Sequence, residues 1–142
     1  MFGDKVILGS VECRIDAKDR FIVPKKLTNV EKDDELVLIE KSDHLEIWRL
    51  ESLLAELDKI RELMLFAKSE EDYEKLKLAE YKITMFISGT GNYKVDAQCR
   101  YNLGSNAVNT YELGDKLIFE GANNHGRIWN EKTYNLVKSK LR

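Results

Sequence analysis

Proline occurs once in the 142 residues, as Pro24, and cysteine twice, as Cys13 and Cys99. Two cysteines cannot build a disulfide framework. Together with the two widely separated histidines, His44 and His125, they do not make a four-ligand zinc site of ordinary spacing either, so no metal or cofactor is expected. No unbroken apolar run approaches the roughly 20 residues that a bilayer span takes. The opening Met-Phe-Gly-Asp-Lys carries an acid and no long apolar stretch, so no signal peptide is expected. No serine, cysteine or aspartate sits in a nucleophile signature, and no glycine-rich phosphate loop is present, so the chain is not read as an enzyme. Apolar residues make up 43% and charged residues 34%, ordinary proportions for one soluble globular domain or two small halves sharing a core.

The formal net charge of −2 argues against a polyanion partner only if charge is spread evenly, and it is not. Residues 51–80 hold nine acids and five bases, while residues 14–27 hold five bases against two acids. An acidic middle therefore hides a basic segment made of Arg14, Lys18, Arg20, Lys25 and Lys26.

The chain repeats itself. Residues 14–21 (Arg-Ile-Asp-Ala-Lys-Asp-Arg-Phe) match residues 94–101 (Lys-Val-Asp-Ala-Gln-Cys-Arg-Tyr) at an offset of 80, and Gly9 and Gly89 keep that offset. At an offset of 81, residues 34–38 match 115–119, and His44-Leu-Glu-Ile-Trp48 matches His125-Gly-Arg-Ile-Trp129. Agreement at the same residue types in the same order marks a tandem duplication.

Each copy reads as short strands around one helical turn. Val11, Cys13 and Ile15 alternate with polar residues at the period of a half-buried strand. Asp16 and Asp96 read as turn-formers, followed by strands at Arg20–Val23 and Arg100–Leu103. Pro24 suits the first position of a helical turn, which the second copy starts without proline. Further strands are expected at 35–40, 44–48, 116–120 and 127–129, with Tyr93 and Val95 opening the second copy. Between the copies the period becomes helical. Leu50, Leu53, Leu54, Leu57, Ile60 and Met64 form one apolar stripe, and Ser69-Glu-Glu-Asp72 opens a second helix bearing Tyr73, Leu76, Ala79, Ile83 and Phe86. A last helix carries Tyr134, Val137 and Leu141. The expected fold is α+β: units at 9–52 and 89–133 sharing one pseudo-symmetric β-barrel, a helical hairpin at 53–87 and a C-terminal helix at 134–142. Cys13 is expected to be a buried small hydrophobe and Cys99, in a turn, to be open to solvent. Trp48 and Trp129 are expected to anchor the helix that follows each, and the histidines to be satisfied locally.

Two Asp-x-x-x-Arg motifs about eighty residues apart, each with a glycine seven residues before the aspartate, resemble the MraZ transcriptional regulators. The similarity covers nearly the whole chain. It implies two tandem SpoVT-AbrB-like swapped-hairpin units in a bacterial, cytoplasmic, nucleoid-associated protein. That protein would bind double-stranded DNA at short direct repeats upstream of the division and cell-wall gene cluster containing its own gene. It also implies a ring-shaped homo-oligomer. The motif arginine is the family's DNA-contacting residue, which maps onto Arg20 and Arg100. An arginine fork pairs bidentately with guanine, and nearby lysines neutralise phosphates, which extends the expected contact set to Arg14, Lys18, Lys25, Lys26 and Lys94. The other readings are that Asp16 and Arg20 merely pair across a turn beside a solvated basic face, and that the chain is a protein-interaction module without specific DNA binding. The family's glycine before the motif arginine is replaced by Asp19 and Cys99, and the second copy continues as Asn102-Leu-Gly-Ser-Asn106 without the proline and lysines. The second basic window, residues 94–107, is correspondingly weaker, with two bases and one acid.

Overall fold

The computed structural model describes residues 9–89 and 94–141. The first copy supplies β1 (Ser10–Arg14), β2 (Arg20–Ile22), α1 (Lys25–Thr28), β3 (Leu36–Glu40) and β4 (Leu45–Arg49). A hairpin of α2 (Leu50–Leu65) and α3 (Glu70–Gly89) follows. The second copy supplies β5 (Arg100–Asn102), α4 (Ser105–Thr110), β6 (Lys116–Gly121), β7 (Gly126–Trp129) and α5 (Glu131–Lys140). The expected strand residue Tyr93 lies outside the described residues.

The copies interleave instead of folding side by side. One antiparallel sheet runs β1-β6-β7-β4-β3, so β1 of the first copy pairs with β6 of the second. The two copies meet again where β4 pairs with β7, and β2 pairs with β5 in a separate two-stranded ribbon. The expected closed barrel is not found among the described residues: sheet and ribbon stack as layers, with β1 and β3 at the sheet's edges. Strands of three residues supply too little ladder to carry the sheet round on itself.

Equivalent residues face each other across both central pairings. Glu46 opposes its counterpart Arg127, and Phe21 opposes its counterpart Tyr101, so one pseudo-dyad passes through the sheet and the ribbon. Alternation sorts the side chains on either face. Leu36, Leu45, Ile47, Leu117, Phe119 and Ile128 point towards the ribbon and form the main core with Phe21, Val23, Tyr101, Leu103, Ala107 and Val108. Val37, Ile39 and Trp48 point the other way, onto Leu53, Leu50, Ile83, Phe86 and Ile87 of the hairpin.

The duplicated halves have compensated for one another's packing. Leu45 and Leu38 of the first copy correspond to Gly126 and Phe119 in the second. A Cβ on Gly126 would overlap the Phe119 ring and stand 3.0 Å from Ile47 Cγ2, so the larger ring occupies the space the missing side chain leaves.

The helices follow their sequence signals, with differences. Ser69 Oγ accepts from the Asp72 N–H at 3.1 Å at the start of α3, and Asn130 Oδ1 caps α5 through Lys132 N–H at 2.8 Å. Asn29, at φ 55°, closes α1 in the left-handed conformation. α4 forms without a proline and is longer than α1. Asn102 Oδ1 accepts from Gly104 N–H at 2.9 Å, and Ala107 and Val108 are buried beneath it. On the α2 stripe only Leu53 and Leu57 are fully buried, whereas Leu54 is exposed, as are Leu65 at the end of α2 and Phe66 just after it. Trp48 packs against α2 and Trp129 against Tyr134 of α5, as expected of helix anchors.

Candidate nucleic-acid interface

The motif aspartates build two copies of one turn. Asp16 Oδ1 accepts from the backbone N–H groups of Lys18 and Arg20, both at 2.9 Å, and its Oδ2 accepts from Arg20 Nε at 2.9 Å. Asp96 repeats this with Gln98 N–H at 2.9 Å, Arg100 N–H at 2.8 Å and Arg100 Nε at 2.7 Å. The Arg20 backbone N–H, with its guanidinium beside it, holds the Asp16 carboxyl below the ordinary carboxylate range. For Asp96, burial opposes the same shift and the Arg100 contacts outweigh it.

These turns need one residue in the left-handed region. Asp19 (φ 63°) and Cys99 (φ 60°) occupy it where glycine would cost least. Aspartate accepts this conformation more readily than most residues. Cysteine accepts it here with its side chain turned inward: Cys99 is buried and its Sγ donates to Val30 O at 3.4 Å. Position in a turn therefore did not expose this thiol. Cys13 is half-buried, and burial pushes its thiol up to about 11.

Each turn feeds a ribbon strand. Phe21 and Tyr101 are buried beneath the ribbon, so the alternate residues face outward: Arg20 directly opposite Asn102, and Ile22 directly opposite Arg100. Both motif arginines thus share one face, arranged about the pseudo-dyad. Their guanidiniums differ in freedom. Arg100 also donates from Nη2 to Gln98 Oε1 at 3.2 Å, whereas Arg20 uses only Nε among the described residues, leaving its two terminal nitrogens for a partner.

The basic segment that is continuous in sequence is divided by the fold. Lys18 is exposed in the first turn, and the N–H of Leu103 bonds Asp19 O, so this end of the ribbon adjoins α4. The N–H of Val23 bonds Cys99 O, which brings exposed Lys25 to the other end, beside the second turn. Lys26 continues α1, its side chain outside the described residues. Arg14 is exposed at the end of edge strand β1 opposite Lys116. Lys94 occupies the equivalent place, its backbone paired with that of Glu35 in an isolated antiparallel β-bridge.

A second polar cluster sits on the sheet's other face, and the sequence offered only the repetition of its members as a signal. His44 stacks on Trp129 and His125 on Trp48, with ring centroids 4.5 and 4.3 Å apart. Each histidine is held locally, His44 Nδ1 by Asp43 Oδ1 at 2.7 Å and His125 Nδ1 by Asn124 Oδ1 at 3.0 Å. Their Nε2 atoms both turn towards Glu46 Oε2, at 3.9 and 3.5 Å. Trp48 Nε1 donates to Glu46 Oε1 at 2.9 Å. Burial would raise the Glu46 carboxyl, yet His125, His44 and Trp48 together hold it well below the ordinary range. Among the described residues no group of three or more His, Cys, Asp or Glu side chains is placed to hold a metal ion, and no helix is long and apolar enough to cross a membrane.

The family model described as "MraZ protein, putative antitoxin-like" matches residues 6–76, half of the chain. The chain belongs to the MraZ family. Over 137 residues it is 25% identical to the transcriptional regulator MraZ of Mycoplasma mycoides subsp. mycoides SC, covering 96% of each chain. Family membership and the doubled motif thus rest on separate observations, since the matched segment contains only the first Asp-x-x-x-Arg turn.

Proposed function

We propose that this chain is a sequence-specific DNA-binding transcriptional regulator, and that the outward face of the β2–β5 ribbon enters the major groove. The observation that carries this reading is the presence of both motif arginines on one exposed ribbon face about a pseudo-dyad. Two-stranded ribbons fit the major groove, and guanine offers O6 and N7 to an arginine fork. The aspartate on Nε fixes each guanidinium's orientation before DNA arrives, which lowers the ordering cost of binding. The pairing of Asp16 with Arg20 and the contact of Arg20 with DNA are thereby parts of one arrangement.

Lys18, Lys25, Lys26, Arg14 and Lys94 serve phosphates on either side. The swapped-hairpin AbrB-like reading is supported by the pairing of β1 with β6 across the copies. A single chain presents a small reading face, so several chains in a ring-shaped homo-oligomer engaging successive direct repeats would gain affinity through effective concentration. The operator is the DNA upstream of the chain's own gene in the division and cell-wall gene cluster, which places the protein in the cytoplasm, on the nucleoid.

Footprinting on that upstream fragment tests the proposal. Protection of short, regularly spaced boxes at low salt supports it. Uniform protection, or none, would favour an interaction module without specific DNA binding.

A further inference from the structure

The reading face is nearly symmetric, and the departure from symmetry is chemically sharp. Arg20 and Arg100 are equivalent residues, but the other two outward positions, also equivalent, hold Ile22 and Asn102. Ile22 is 60% exposed and alternates with the buried Phe21, so it presents a β-branched apolar side chain on the outward face. Asn102 is restricted in a different way. Its Oδ1 accepts from Gly104 N–H, which fixes the orientation of the amide and leaves its two N–H donors and one oxygen lone pair.

We propose that Ile22 is a specificity-determining residue that packs on the 5-methyl group of a thymine, and that the Ile22/Asn102 difference makes the recognised box asymmetric. This rests on the reading of the ribbon as the DNA-contacting face. Thymine's methyl is the one apolar feature that the major groove offers. An exposed isoleucine set directly opposite an arginine that addresses a neighbouring base is placed to find it. Asn102, at the equivalent point, donates to a base or phosphate oxygen and gains nothing from a methyl.

The test is a scan of the upstream fragment in which each thymine of a footprinted box is replaced in turn by deoxyuridine, which lacks only the methyl. Wild-type protein should lose about fourfold in affinity at one position, on one side of the box centre, the value of roughly one buried methyl group. Ile22→Ala should bind the thymine and deoxyuridine duplexes equally. Ile22→Val should keep the preference. Because Ile22 is largely exposed, these variants should fold, and circular dichroism checks that they do. A flat scan with wild type, or an equal deoxyuridine effect in wild type and Ile22→Ala, overturns the assignment. If Arg20→Ala meanwhile abolishes specific binding, the ribbon reading stands and only the role of Ile22 falls. If Arg20→Ala and Arg100→Ala bind like wild type, the ribbon reading falls and this inference with it.

Discussion

His44 lies flat against Trp129, its ring centroid 4.5 Å away, and the equivalent pair His125 and Trp48 stacks at 4.3 Å. Each stack joins the two copies, and Glu46 lies between the two imidazoles. Burial lowers the affinity of His44 for its proton, but the carboxylates of Glu46 and Asp43 more than offset this, and its pKa is raised in the folded protein. A raised folded-state pKa adds stability that is fully present below the ordinary histidine range and is lost as pH rises through the folded value. Thermal unfolding should therefore occur at lower temperature at pH 8 than at pH 6. Glu46→Gln keeps an acceptor for the Trp48 indole but removes the charge, so it should flatten this dependence. A pH dependence unchanged by Glu46→Gln would mean that other groups cause it.

The exchange of Leu45 and Leu38 for Gly126 and Phe119 predicts a rescue. Gly126→Leu should destabilise the protein by about 1–3 kcal/mol or more, because the Phe119 ring already fills the site. Adding Phe119→Leu recreates the first-copy combination and should recover much of that stability. Denaturant unfolding of the three variants reads this directly. Additive destabilisation in the double variant would show that the two positions do not share one space.

Neutralising the basic residues should reveal that one continuous segment of sequence serves two ends of the ribbon. Lys18→Ala and Lys25→Ala should each weaken binding to specific and scrambled duplexes alike. Each should also reduce the slope of log affinity against log salt by about 0.9 for every phosphate that is no longer neutralised. Unchanged slopes would assign both lysines to the solvated surface.

Much of this arrangement is legible in the residues themselves. Identical Asp, Arg, His and Trp positions reveal the duplication, and the Asp-x-x-x-Arg spacing predicts a turn that both copies adopt. Self-similarity, however, says that two units are alike without saying which strand pairs with which. The pairing of β1 with β6 and of β2 with β5 is fixed by burial of Phe21, Tyr101 and Phe119 in one shared core. The crossed His–Trp stacks follow from the register of β4 against β7, a long-range property with no local signal. Cys99 escapes a local reading because its turn backbone points its thiol inward to Val30. α4 forms without proline because burial of Ala107 and Val108 drives a helix that intrinsic propensity would not.

The most direct measurement is the affinity of Arg20→Ala and Arg100→Ala for a footprinted box and for a scrambled duplex, at one salt concentration. Each arginine is expected to contribute about 1–3 kcal/mol of discrimination. The larger effect should fall on Arg20, whose terminal nitrogens have no partner among the described residues and which has Lys18 where Arg100 has Gln98. Arg20→Ala should lose most of the preference for the box over the scrambled duplex while keeping its fold. Retention of the wild-type preference for the box by both variants would contradict it.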